Sequence, residues 1–244
     1  MRLFVDAALV EGAELSLPPG AARHAQVRRV QPGDALWLFD GGGSDWPAQV
    51  LAVGRSEVHV RVGAPQAVAN ELPLAVTLAL AMPANERMDT LVEQATQLGV
   101  ARLQPLMTER SVLRLAGDRA ERKRVHWQAI AEAACEQCGR ARVPHVEPVR
   151  TLAAWLHQGP AAPDGTRLLL TLQPGARTLP QQPIVGNALC TLSGPEGGLT
   201  PDEEAAAHAA GFAATALGPR VLRAETAPLA VLAWLAMQRA GTPA

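Results

Sequence analysis

Several things are scarce in this 244-residue chain. It has 3 cysteines, an odd and small number that does not suggest a disulfide framework and suits a reducing cytoplasm. Lysine occurs once, at Lys123, among 22 basic residues, so arginine carries nearly all the positive charge. The formal net charge is −1, without the overall basic excess that nucleic-acid-binding domains often carry. No apolar run approaches the roughly 20 residues needed to span a bilayer. The opening segment, Met1-Arg-Leu-Phe-Val-Asp6, lacks the apolar stretch of a secretory signal. Cys135-x-x-Cys138 has no second pair to complete a zinc site, so no metal is expected. No P-loop and no dinucleotide G-x-G-x-x-G fingerprint is present.

What the chain has in quantity is short apolar runs separated by turn residues. Hydrophobic residues make up 48% and charged residues 18%, enough for a substantial core. The first 70 residues read as β-rich. Strands are predicted from Leu3 to Val5, Ala35 to Phe39, Ala48 to Val53 and Val58 to Val62, with a short helix from His24 to Val30. That pattern suggests a small β-barrel. Ala69-Asn-Glu-Leu-Pro73 reads as a linker, and the pattern then changes. Leu74 to Met82 is almost wholly apolar, as expected of a strand covered on both faces in a parallel sheet. Met88, Leu91, Val92, Ala95 and Leu98 recur at helical spacing before a stop at Gly99. Further strands are predicted at 100–106, 143–146, 168–172, 188–192 and 213–217, with helices at 118–138 and 225–239. This alternation means an α/β domain with a parallel sheet, so two domains are expected, 1–70 and 71–244. The Pro- and Gly-rich stretch from Gln158 to Pro183 reads in part as a loop.

Two stretches near the C-terminus organise the rest: Leu192-Ser-Gly-Pro-Glu-Gly-Gly-Leu-Thr200 and Leu217-Gly-Pro-Arg-Val-Leu-Arg-Ala-Glu-Thr-Ala227. Each follows a predicted strand and opens a helix. In the first, Thr200, Pro201 and Glu203 form an N-cap, a first-turn proline and a capping box. Two such loops place a ligand outside the carboxyl ends of the strands. As bare turns they would need no ligand.

These residues, with Arg2-Leu-Phe-Val5, the His24 to Val30 segment, Phe39-Asp-Gly41, the Ala95-Thr-Gln-Leu-Gly-Val100 run, Glu109-Arg-Ser-Val112 and Glu132 to Arg140, resemble bacterial RsmE-type methyltransferases of the SPOUT superfamily. The resemblance spans nearly the whole chain. It departs where Pro83-Ala84-Asn85 stands in place of a customary lysine and where Gln97 replaces a glutamate. It implies a SPOUT-type trefoil-knot domain preceded by a PUA-like RNA-binding barrel, a homodimer, and S-adenosylmethionine as cofactor. The implied reaction is methylation of N3 of a uridine in 16S rRNA, naked or within the small ribosomal subunit. The cofactor residues it implies are Leu172, Gly194, Pro195, Glu196, Gly197, Gly198, Leu217, Gly218 and Leu222, the glycines being needed because a Cβ would stand where the cofactor lies. Arg223 is the expected anion stabiliser. Glu225 is a candidate base that equally reads as a helix-capping residue.

Candidate RNA contacts are Arg23, Arg28 and Arg29, close together in sequence, with Arg220. The first module's six arginines stand against seven acidic residues, so most are expected to be solvated surface. Glu136, Gln137 and Arg140 read as lining a substrate side or as ordinary helix polarity, and Trp37 and Trp46 as packing rather than base-stacking residues. The rival functions are a catalytically silent RNA binder and a SPOUT enzyme acting on another RNA.

Overall fold

A computed structural model describes residues 1–84, 86–159 and 165–239. Asn85 and part of the loop read between Gln158 and Pro183 lie outside these. The chain divides into two compact units, Met1–Glu71 with Glu132–Val143, and Leu72–Ala131 with Pro144–Ala244.

The first unit contains β1 (Arg2–Phe4), β2 (Glu14–Ser16), α1 (Pro19–Val27), β3 (Ala35–Phe39), β4 (Ser44–Val53), β5 (Val58–Val62) and β6 (Gln66–Ala67). They form a six-stranded sheet in the order β1-β3-β4-β5-β2, with β6 on β4. Val58, Val60 and Val62 point inward while His59 and Arg61 face water, the period-2 pattern of a half-buried strand. Helix α1 begins five residues before the predicted start, because Pro18 and Pro19 supply a pre-set φ at its first turn. It ends through Arg29, whose φ of 57° makes it the only non-glycine in the left-handed region among the described residues. Val30 N–H donates to Ala25 O and Arg29 N–H to Gln26 O, closing the helix as a Schellman motif.

The segment 132–143 completes this unit. Arg2 donates to Asp45 at 2.7 Å and to the carbonyls of Cys135 and Arg140, each at 2.7 Å, and lies over the Phe39 ring. Glu136 accepts the Phe4 N–H at 2.8 Å, and Arg140, 4% exposed, pairs with Glu71 at 2.6 Å. Glu136 and Arg140 are therefore internal ties, since a buried guanidinium or carboxylate is tolerated only with its hydrogen bonds made.

The second unit contains β7 (Ala75–Ala81), α2 (Glu86–Gln97), β8 (Arg102–Met107), most of α3 (Gly117–Cys138), β9 (His145–Val146), β10 (Arg150–Thr151), α4 (Leu152–Gln158), β11 (Thr166–Leu170), β12 (Arg177–Thr178), β13 (Ala188–Ser193), α5 (Pro201–Ala209), β14 (Ala213–Ala216) and α6 (Thr226–Arg239). The sheet order is β10-β8-β7-β13-β11-β14-β12, with β9 on β8, and every pair is parallel. The expected α/β fold with a parallel sheet is thus present. β7 is buried from Val76 onward, as a central parallel strand must be.

Because β11, β13 and β14 run parallel and adjacent, the loops leaving their carboxyl ends lie side by side. β11 ends at Leu170, so Leu172 stands in the following loop rather than closing the strand. In α6, Val231, Leu232 and Leu235 are buried, and Leu229 and Trp234 pack half-buried against the same core. Met237 remains 70% exposed. Most of the apolar surface of α6 is therefore spent inside the unit. No described helix is long and apolar enough to cross a membrane.

Candidate active site

The three loops enclose a cavity of about 660 Å³. The first wall is Leu170 to Gln173, the second Ser193 to Leu199, and the third Leu217 with Arg220 to Ala224. Of the expected cofactor residues, Leu172, Gly194, Pro195, Glu196, Gly197, Gly198, Leu217 and Leu222 all line it. Gly218 does not, although its φ of +111° requires glycine in the turn that leads to Arg220. Arg220 and Arg223 line the cavity and are exposed. Glu225 is not among the lining residues; its Oε2 is buried with no hydrogen-bond partner among the described residues.

The glycines serve the loop before they serve a ligand. A Cβ on Gly194 would lie 3.0 Å from the amide nitrogen of Leu199 and 3.2 Å from the carbonyl carbon of Gly198. Gly198 has φ +69°, and a Cβ on Gly197 would meet Arg110 side-chain carbons at 3.5 Å. The expectation that each Cβ would stand in the cofactor's place is thus replaced at Gly194 by self-packing of the turn. At Gly197 the nearest neighbour is a side chain.

That side chain also holds the loop. Arg110 donates through Nη1 to the carbonyls of Gly197 at 2.9 Å and Leu199 at 3.3 Å. Glu203 accepts the N–H of Thr200 at 2.9 Å and, through its other oxygen, the N–H of Glu109 at 2.8 Å. The predicted capping box is present, and it ties the glycine loop to the segment after β8. Arg87 and Glu196 add an exposed ion pair at 3.2 Å. Across the cavity, the Glu204 carboxylate accepts hydrogen bonds from Gln173 Nε2 and, at 3.5 Å, from the Thr171 hydroxyl.

The sequence reading missed Arg110, Thr171, Gln173 and Glu204. Glu109-Arg110 stood out only as a segment without a role. Glu204 was indistinguishable from acidic residues that favour any helix N-terminus. Apolar walls of leucine with a few placed polar groups, at this volume, form a pocket for a small organic ligand.

In the first unit, Arg23, Arg28 and Arg29 are exposed around the end of α1 with no side-chain partner among the described residues, whereas Arg2 is spent internally and Arg61 pairs with Glu14. Two of the three thiols are buried. Cys135 is buried, donates to Arg142 O at 3.5 Å, and has its pKa pushed up to about 12, chiefly by burial. Burial does the same to Cys190, also to about 12.

With this geometry in place, similarity to known proteins becomes specific. Residues 70–236 match a family model described as an RNA methyltransferase domain. The chain belongs to that RNA methyltransferase family. Residues 17–63 match an RNA methyltransferase PUA domain, in agreement with the expected PUA-like module. A ribosomal RNA small subunit methyltransferase E of Synechocystis is 35% identical, the alignment covering 95% of this chain and 76% of the relative. The enzyme of the same name from Bacillus subtilis is 28% identical over 87% of this chain and 85% of its own. Among solved structures, a ribosomal RNA small subunit methyltransferase E from Neisseria gonorrhoeae bound to S-adenosylmethionine is 33% identical, with a TM-score of 0.89 and 97% of each chain covered. A methyltransferase from Legionella pneumophila with bound S-adenosylmethionine is 32% identical at the same score and coverage.

Proposed function

We propose that this protein is an S-adenosylmethionine-dependent methyltransferase of small-subunit (16S) ribosomal RNA, acting on N3 of a uridine. The observation that carries the reading is the cavity itself. Eight of the nine expected cofactor residues line it, and two exposed arginines, Arg220 and Arg223, stand on its third wall. The leucines offer cover to an adenosine, and the strand ends offer backbone groups to a base edge. When bound, the cofactor supplies an electrophilic methyl on a sulfonium sulfur.

The remaining work falls to the chain. N3 of uridine holds a proton, and its lone pair becomes a good nucleophile only when that proton leaves. Arg223 places a fixed positive charge where the uracil oxygens of a flipped base acquire negative charge. The loops fix the approach of N3 to the methyl, which converts a bimolecular step into an oriented one. Glu225 lies off the cavity wall, which places it poorly for direct proton abstraction, and the proton passes to water. Arg23, Arg28 and Arg29 supply phosphate contacts on the first unit. Arg29 carries an arginine where glycine is the easier residue, so its side chain is the reason for its presence.

The reading extends to threading of the α/β unit as a trefoil knot and to a homodimer. The insertion of β13 between β7 and β11 supports the first, and the exposed Met237 on α6 the second. The test is transfer of labelled methyl from S-adenosylmethionine to small subunits lacking the modification, followed by mapping of the modified base. Methylation at any position other than uridine N3, or of another RNA only, overturns the substrate assignment. Light scattering of the purified protein reads the oligomeric state, and a monomer at micromolar concentration removes the dimer.

A further inference from the structure

One carboxylate on the cavity wall has no counter-charge. Glu196 pairs with Arg87, and both oxygens of Glu203 accept backbone N–H groups. Glu204 differs. Its two oxygens take a hydroxyl from Thr171 and an amide from Gln173, both neutral donors, and no arginine, lysine or histidine among the described residues stands within ion-pair distance. Both donors belong to the loop after β11, which forms the opposite edge of the cavity, so the carboxylate is held in one orientation with no ion-pair partner among the described residues and only the partial positive charge of the α5 N-terminus near it. Thr171, Gln173 and Glu204 all line the cavity. A half-buried carboxylate fixed by neutral donors attracts a cation more strongly than a freely solvated one, because less water must be displaced and less screening intervenes.

We propose that Glu204 supplies the counter-charge for the cationic methionine arm of the cofactor, which makes it a cofactor-binding residue that discriminates by charge. The proposal rests on the methyltransferase reading above. Its chemistry has a functional corollary. Methyl transfer breaks the bond from sulfur to the methyl carbon, forms the bond from N3 to that carbon, and leaves a neutral thioether in place of the sulfonium. A carboxylate that pairs with the sulfonium therefore holds the incoming cofactor more tightly than the spent one, and favours product release.

The test is calorimetric titration of the wild-type protein and Glu204→Gln with three probes: S-adenosylmethionine, S-adenosylhomocysteine and 5′-methylthioadenosine, the last lacking both positive charges. Glutamine keeps the size and one acceptor of the carboxylate, so the loop stays tethered. S-adenosylmethionine affinity is expected to fall about tenfold, as for loss of one charge-assisted contact, with methylthioadenosine unchanged within about twofold. S-adenosylhomocysteine affinity held constant assigns the pairing to the sulfonium; a fall parallel to that of S-adenosylmethionine assigns it to the ammonium, and either supports the proposal. Equal losses for all three probes mean that Glu204 only props the wall, and no loss for any means that it is idle; both outcomes overturn it. Absence of S-adenosylmethionine binding by the wild-type protein is a different result, since it removes the methyltransferase reading itself.

Discussion

Two walls of one cavity are built in opposite ways. The glycine loop between β13 and α5 is held by Arg110 at two carbonyls, by a capping box at Thr200 and Glu203, and by the Glu109 N–H, which donates to the Glu203 carboxylate. The loop between β14 and α6 has no side-chain hydrogen bond among its described residues. Its ties are the backbone bonds from Thr226 and Ala227 to Arg223 O, and Val221 at its crest is 80% exposed. On the function proposed above, the difference separates two tasks. A wall that reads a small cofactor must keep its donors aimed without help, because ordering them on binding would cost affinity. A wall that admits a flipped base needs exposed arginines and freedom to close over them.

The sharpest way to break this comparison is Arg223→Ala. Loss of charge stabilisation on the free wall is expected to lower turnover by roughly 10²–10³-fold while cofactor affinity stays within about twofold. A parallel loss of cofactor affinity would make the two walls one unit. Next comes Gly194→Val set beside Gly197→Ala. The valine drives a branched side chain into the amide of Leu199, so cofactor affinity is expected to fall more than about 100-fold, whereas the alanine meets only movable carbons of Arg110 and costs less than about threefold. Equal effects in a calorimeter would show that Gly197 faces the ligand after all.

Arg110→Ala removes both carbonyl ties at once and is expected to weaken cofactor binding about tenfold, with Arg110→Lys recovering part of it through a single donor. An unchanged dissociation constant would mean that the fixed wall holds itself. The smallest effect is chemical. At pH 8 Cys190, whose pKa burial pushes up to about 12, stays protonated inside β13 and resists alkylation, while Val221→Cys on the free wall reacts at the rate of a small thiol. The sign for stability follows. Above the ordinary thiol value of 9.0 the unfolded chain releases the Cys190 proton and the folded chain keeps it, so stability falls as pH rises from there towards about 12.

Most elements were legible in the sequence, and those that were not share a reason. β3 and β5 fell on their predicted residues, β7 within about one and α2 within about two, because each carries a strong periodic or unbroken apolar signal. β2, β6, β10 and β12 are two or three residues long, too short for any period, and exist only because a neighbouring strand presents unpaired backbone groups. α1 was displaced because the reading gave no weight to paired prolines as a start. The site residues carried by the two loops were found through motif and resemblance. The residues that fix those loops were not: Arg110 lies 87 residues from the carbonyl it binds, and Gln173 lies 31 from Glu204. No local pattern marks such a pair.

By itself the sequence determined the alternation of strands and helices, the N-cap of α5, the glycine turns and the arginines beside them, because these depend on φ preferences, side-chain period and local hydrogen bonds. Only the tertiary structure decided that β11, β13 and β14 adjoin, that Arg110 braces one wall, and that Glu204 stands on the cavity without a counter-charge. Those facts depend on which distant groups the parallel sheet brings within hydrogen-bonding reach, and that information is held by no single stretch of the chain.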